Sequence, residues 1–234
     1  MAKYQRVLLK LSGEALAAGS DGIYNEAFLC RVAATVKRCV DAGTSVAVVV
    51  GAGNIWRGRQ GGEMSRTAAD SMGMLATCIN AIRLTESFRE AGLDAVTMTS
   101  VNMEAFAEPY TSYRAREYLD AGKVVVFGGG LGLPYFSTDT AGALRAAEIG
   151  ADVMLMAKNV DGIYTADPQK DPTAVKLDSI SCHDILQKGL KAIDSTAAAL
   201  CMDAKLPVLV FGLDEPENIY RVIMGEHIGT DITC

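Results

Sequence analysis

The run Ser45-Val-Ala-Val-Val-Val50 constrains this chain more than any other feature. It is a strand-length stretch without a polar face, so the sheet that contains it must be covered on both sides, as parallel sheets are. Similar runs recur at Arg6-Val-Leu-Leu-Lys-Leu11, Ala95-Val-Thr-Met-Thr99, Lys123-Val-Val-Val-Phe127, Asp152-Val-Met-Leu-Met156 and Val208-Leu-Val-Phe211. Between and after them lie helix-period segments. The clearest is 25–42, which places Phe28, Leu29, Val32, Ala33, Val36, Cys39 and Val40 on one face. Asn25 supplies its cap and Gly43 its stop. Further helices are predicted at 71–90, 112–121, 138–150, 182–187, 195–204 and 218–224. This alternation predicts one α/β domain over 1–234, a three-layer α/β/α sandwich with a mainly parallel central sheet and right-handed crossovers.

Several of these strands run into small-residue loops: Ser12-Gly13, Gly51-Ala-Gly-Asn54 and Gly128-Gly-Gly-Leu-Gly132. Ligands of open α/β sheets bind beyond the carboxyl ends of the strands. Glycine there lets backbone N–H groups approach phosphate oxygens. One such loop is an ordinary tight turn; three in one chain point to a shared anionic ligand. The sequence carries no G-x-x-x-x-G-K-[ST], and Leu11-Ser-Gly-Glu-Ala15 is not G-x-G-x-x-G, so P-loop and dinucleotide folds are set aside.

Charged residues beside these loops are the candidates for chemistry. Lys10 interrupts an apolar strand just before Ser12-Gly13, and reads as reaching forward to a ligand rather than snorkelling at an edge. Arg57 follows Gly53-Asn54, where a guanidinium pairs fork-like with phosphate oxygens or is simply solvated. Asp139 is either a first-turn helix carboxylate or a group that orients lysines or Mg²⁺ around a transferring phosphoryl group. Asp70 is either a helix cap or an acceptor for a sugar hydroxyl. The tract 158–168 predicts a hairpin with Asp161-Gly162 at its turn; with Tyr164 and Asp167 it suits a clamp over a purine and ribose. Met72, Met74 and Leu75 read as core packing. His183 and His227 lack metal-ligand spacing.

Charge and composition exclude other classes. With 22 Lys and Arg against 28 Asp and Glu, the net charge is −6, and no basic stripe is present for nucleic acid. A bound nucleotide remains compatible, since local cations can hold one. The chain has neither an 18-residue apolar run nor signal-peptide features, which predicts a soluble cytoplasmic protein without membrane contact. The six cysteines are scattered without C-x-x-C, so reduced thiols are expected in place of zinc or disulfides.

Lys10-Leu-Ser-Gly-Glu-Ala-Leu16, Gly51-x-Gly-Asn-x-x-Arg-Gly58, Asp70-x-Met-Gly-Met-Leu-Ala-Thr77, Pro134-Tyr-Phe-Ser-Thr-Asp-Thr140, Asp161-Gly-Ile-Tyr-Thr-Ala-Asp-Pro168 and Gly225-Glu-x-x-Gly-Thr230 together resemble bacterial UMP kinases (uridylate kinases) of the amino acid kinase family. The resemblance spans almost the whole chain in the right order. It implies transfer of the γ-phosphoryl of Mg-ATP to UMP, giving UDP and ADP, in pyrimidine nucleotide biosynthesis. Lys10, Arg57 and Asp139 would be catalytic. Lys10, Leu11, Ser12, Gly13, Gly53, Arg57, Lys158, Asn159, Tyr164 and Asp167 would surround ATP. Gly51, Ala52, Asp70, Leu131, Gly132, Leu133, Pro134, Tyr135, Phe136, Ser137 and Thr138 would hold UMP. On this basis the acceptor part lies roughly in 1–150 and the ATP part in 151–234, and Mg²⁺ arrives with ATP rather than on dedicated protein ligands. A homohexamer activated by GTP and inhibited by UTP is also implied.

Two loops depart from the family pattern. Ala52 stands where the phosphate loop usually has glycine, and is tolerated if its φ is negative. Leu131 and Leu133 replace a hydroxyl and an amide in the loop expected at the UMP base, which predicts weaker UMP binding or altered base selectivity. Two other readings compete: a family relative that phosphorylates a carboxylate or carbamate, and a non-catalytic nucleotide- or oxyanion-binding relative. The Asp70 helix argues against the first, and the joint presence of Lys10, Arg57 and Asp139 against the second.

Overall fold

The apolar runs that predict buried strands do form the middle of one sheet. β1 (Arg6–Leu11) is flanked by β2 (Ser45–Val50) and β6 (Val153–Lys158). Beyond β2 come β5 (Val124–Gly128) and β3 (Ala95–Thr99), and beyond β6 comes β10 (Val208–Gly212). All of these neighbours are parallel. Short strands finish the edges: β4 (Glu108–Pro109) beside β3, then β11 (Thr230–Thr233) and β9 (Ser179–Ser181) beyond β10. β11 runs antiparallel to β10. The chain's computed structural model describes residues 2–56, 62–166, 168, 170–190 and 192–234.

Helices cover both faces. α2 (Glu26–Asp41), α3 (Arg66–Glu90) and α8 (Glu217–Ile223) contribute Phe28, Leu84, Phe88 and Ile219 to one core, which Val7, Leu9 and Leu11 enter from β1. α4 (Ser112–Asp120), α5 (Thr138–Ile149), α6 (Cys182–Lys188) and α7 (Ser195–Ala204) build the other core, which Leu8 enters. Each fully buried Leu or Val contributes about 1.5–3 kcal/mol relative to exposure. Strand side chains alternate between faces, so Lys10 shares the face of Leu8 and points toward α5. The α/β sandwich with a mainly parallel sheet is therefore as predicted. Among the described residues, no helix is long and apolar enough to cross a membrane.

Several expectations need correction. α1 (Gly13–Ala17) turns directly from β1, where only a loop was predicted. α3 starts at Arg66 under a Ser65 cap, not at 71, so Asp70 lies inside the helix. By contrast, α5 starts at 138 as predicted, with Asp139 in its first turn under a Ser137 cap. Among the described residues of 159–168 no hairpin forms: β7 (Ile163–Tyr164) pairs instead with β8 (Lys176–Leu177), Tyr164 lying opposite Lys176, twelve residues farther on. Met72 and Leu75 are 39% and 52% exposed, and belong to a surface stripe rather than the core. Cys182 and Cys234 are disulfide-bonded, against the expectation of six thiols, and Cys30 is exposed.

Candidate active site

β1 sits where the strand order changes direction, with β2, β5 and β3 to one side and β6 and β10 to the other. Ligands of such sheets bind at this switch point, beyond the carboxyl ends. Lys10, at the carboxyl end of β1, is only 8% exposed, and its Nζ lies 2.8 Å from Asp139 Oδ1. Lys158, at the end of β6, places its Nζ 3.7 Å from Asp139 Oδ2 and donates to the Ala192 carbonyl. One carboxylate thus bridges cations from two adjacent strands. Burial works to raise the pKa of Asp139, but the charges of Lys10 and Lys158 outweigh it, and the carboxyl stays below its usual range. Burial depresses the pKa of Lys158; Asp139 opposes this in part, and Lys10 adds to it. A lysine at less than its ordinary pKa, beside a second lysine, is a place prepared for an incoming anion.

The glycine loops reach this centre by backbone contact. A Cβ on Gly13 would lie 2.5 Å from the Gly51 carbonyl oxygen and 2.6 Å from the Gly53 nitrogen. The first turn of α1 can therefore approach the loop after β2 only with glycine at position 13. Ala52 is not among the residues at positive φ, so its methyl meets the condition set for it. Asn80, fully buried in α3, donates 2.7 Å to the Gly51 carbonyl and 2.7 Å to Asn54 Oδ1, and its own Oδ1 accepts from Tyr24.

A cavity of about 120 Å³ adjoins these loops, lined by Ala52, Asp70, Leu131, Leu133, Phe136 and Thr138 among others. Its walls are tied down from below. Thr77 Oγ1 accepts from the Gly129 N–H at 2.9 Å, and Ser100 Oγ donates 2.7 Å to the Gly130 carbonyl. Asp70 accepts from the Tyr135 N–H at 2.8 Å and from Arg66. Tyr135 has φ 72°, and with Lys205 it is one of two non-glycine residues at positive φ among those described. That conformation costs about 1–2 kcal/mol and is held here by the Asp70 bond.

Two larger cavities continue from it. One, of about 660 Å³, shares Ser137 and Thr138 with the small cavity and passes Asp139 to reach Gly189 and Leu190. The other, of about 340 Å³, begins at Gly189 and Leu190 and is lined by Val160, Ile163, Tyr164 and Pro168. Together they form one cleft with Asp139 at its middle and an apolar end suited to a flat ring. Tyr164 donates to Asp161 at 2.8 Å, and Lys176 pairs with the same carboxylate at 2.9 Å.

Most of the expected site residues therefore fall in one place. Lys10, Asp139 and Lys158 form its centre. Leu11, Ser12, Gly13, Gly51, Ala52 and Gly53 pack around the strand ends, with Ser12 capping α1 through its backbone position but without a side-chain bond. Asp70, Leu131, Leu133, Phe136, Ser137 and Thr138 line the small cavity, whereas Gly132, Pro134 and Tyr135 of the same loop do not, Gly132 resting against the Ser100 carbonyl. Asn159 is exposed beside Lys158. Arg57 and Asp167 lie outside the described residues. Asn80, Thr77 and Asp194 were given no role by the sequence reading, although a polar residue on the buried face of a helix, such as Asn80, is itself a signal.

The sequence pattern of the amino acid kinase family matches residues 5–212. Among solved structures, the chain is similar to the UMP kinase from Bacillus anthracis, at 38% identity and a TM-score of 0.94, covering 98% of this chain and 96% of that one. It is similar to the UMP kinase from Ureaplasma parvum, at 31% identity and a TM-score of 0.93, covering 99% and 100%. It is also similar to the uridylate kinase from Archaeoglobus fulgidus, at 32% identity and a TM-score of 0.77, covering 100% of both.

Proposed function

Because the chain belongs to the amino acid kinase family, we propose that it transfers the γ-phosphoryl group of ATP to UMP, giving ADP and UDP. The observation that carries this is the Lys10–Asp139–Lys158 bridge, whose Asp139 lines the cavity that joins the small acceptor cavity to the apolar donor cavity. Phosphoryl transfer asks a protein mainly to position two substrates in line and to stabilise charge on the equatorial oxygens. Lys10 and Lys158 supply that charge, and Asp139 keeps both ammonium groups aimed at one point. Arg57 is assigned to the transferring group on the resemblance alone.

UMP is placed in the small cavity, with Asp70 on its ribose and the 131–138 loop against the base. ATP is placed with its base in the apolar end, near Tyr164, and its phosphates over Ser12, Gly13 and Gly53. Both oxygens of Asp139 are engaged by lysines. Mg²⁺ is therefore assigned to the triphosphate it arrives with, where it spreads phosphate charge. The acceptor half is then roughly residues 1–150 and the donor half 151–234.

The test is ADP release with ATP and a panel of UMP, CMP, aspartate, glutamate and carbamate, with and without GTP. UMP is expected to give the highest kcat/KM. Bound ATP with no turnover of any acceptor, or preference for an amino acid or carbamate, sinks the reading.

A hexamer regulated by GTP and UTP, acting in pyrimidine nucleotide synthesis in the cytoplasm, belongs to the same proposal. The exposed stripe Met72, Leu75, Ile79 and Ile82 on α3, with Phe106 beside it, supports assembly. The Cys182–Cys234 bond runs against a cytoplasmic setting, where thiols are kept reduced. Thiol titration of protein from its native compartment, unfolded without reductant, decides: six thiols support the placement and four oppose it.

A further inference from the structure

Asp194 lies just before α7 and does more than cap it. Its Oδ1 accepts from the Ala197 N–H at 3.0 Å, the ordinary bond of an N-cap. The same carboxylate accepts from Thr140 Oγ1 at 3.0 Å, on the neighbouring helix α5, and from the hydroxyl of Ser137, the cap of that helix. Ser137 Oγ in turn accepts from the backbone N–H groups of Asp139 at 2.9 Å and Thr140 at 3.2 Å. The two side chains that Asp194 holds stand on either side of Asp139. A serine at position 194 would satisfy the cap of α7; reaching across to α5 requires the longer, two-oxygen carboxylate.

We propose that Asp194 is a positioning residue that fixes the Asp139 carboxylate between Lys10 and Lys158, acting through Ser137 and Thr140. The proposal rests on the phosphoryl-transfer reading of the site. A carboxylate that must meet two ammonium groups at once tolerates little rotation of its helix, and Asp194 pins the first turn of α5 at two points. Its charge has a second effect. Lys158 is faced by Asp139 from α5, Lys10 from β1, the Ala192 carbonyl, and Asp194 from the start of α7. Asp139 and Asp194 are thus the anions that oppose the burial of Lys158, and removing either makes its proton easier to lose.

The test compares the parent with Asp194→Ser, which keeps the α7 cap, and with Asp194→Asn, which keeps the shape and removes the charge. Against ATP and UMP, kcat of Asp194→Ser is expected to fall about 10- to 100-fold, the scale of a small misplacement of reacting groups. KM for ATP should change by less than about threefold, and the basic limb of the kcat–pH profile should move to lower pH in both variants. Adding Thr140→Val to Asp194→Ser should cost less than about twofold more, because that contact is already gone. A kcat within about twofold of the parent, or a loss of kcat with an unmoved basic limb, overturns the proposal. If the parent turns over no UMP, the functional reading fails by itself. A crystal structure of Asp194→Ser then decides this point, since a retained 2.8 Å Lys10–Asp139 contact refutes it and a displaced Asp139 upholds it.

Discussion

The loops after β2 and β5 are held by backbone contact and directional hydrogen bonds: Gly13 against Gly51, the buried bonds of Asn80 on the Gly51 carbonyl and Thr77 on Gly129, and the exposed bond of Asp70 on Tyr135. The tract after β6 is held by a two-stranded ribbon, an exposed Asp161–Lys176 pair and an apolar lining. A wall fixed by directional bonds at set distances can reject a substrate by shape. A wall of apolar surface accepts any ring of about the right size. Selectivity is therefore expected on the first side and tolerance on the second, with the Asp139 bridge common to both.

The largest effect should come from breaking that bridge. Asp139→Asn is expected to lower turnover by about 10²–10³-fold without favouring either substrate. Asp139→Ala, which leaves the buried Lys10 without its carboxylate and Lys158 with the Ala192 carbonyl alone, should cost about 3–5 kcal/mol in denaturant unfolding. Because burial depresses Lys158, with Asp139 only partly offsetting it, the proton is lost at lower pH than from an ordinary lysine. The basic limb of kcat should accordingly lie below pH 10.5, and Lys158→Arg should remove it from that range.

The next effects separate the two sides. Asp70→Ala frees the strained Tyr135 and should raise KM for UMP about tenfold or more, leaving KM for ATP unchanged, as expected for loss of charge-assisted hydrogen bonds worth about 1.5–3 kcal/mol. An equal rise in both constants would erase the contrast. Leu131→Thr with Leu133→Asn should tighten UMP by about 1 kcal/mol, roughly fivefold in KM. No change there means that the loop works through its backbone. Asp161→Asn should be the mildest: an exposed ion pair is worth about 0.2–1 kcal/mol, so KM for ATP should rise less than about fivefold.

The sheet's middle was legible because its strands are continuous apolar runs that fit only a doubly covered sheet. Lys10 stood out as a charge in such a run, and Asn25 and Gly43 marked α2 by local rules that hold. What failed depended on distant partners. β7 finds β8 across an intervening loop, and Cys182 finds Cys234 across 52 residues. β9 and β11 are too short to carry a period. Of the two readings of Asp70, the helix cap fails because Ser65, the actual cap, opens the helix earlier than the apolar pattern does. Asp194 resembles any capping aspartate, and its second task depends on the packing of α5 against α7.

The position of β1 also bears on how the molecule comes into being. Val7 pairs with Val46 on one side and with Val153 on the other. During synthesis the first neighbour emerges early, and the second only after 153 − 46 further residues, a delay on the order of 10 s at ribosomal rates. Asp139 is made 139 − 46 residues after Val46, so for most of that interval Lys10 lacks its carboxylate partner, and for all of it β1 lacks β6. The strand that carries Lys10 thus gains its second neighbour late, and the pairing that closes the sheet also completes the site.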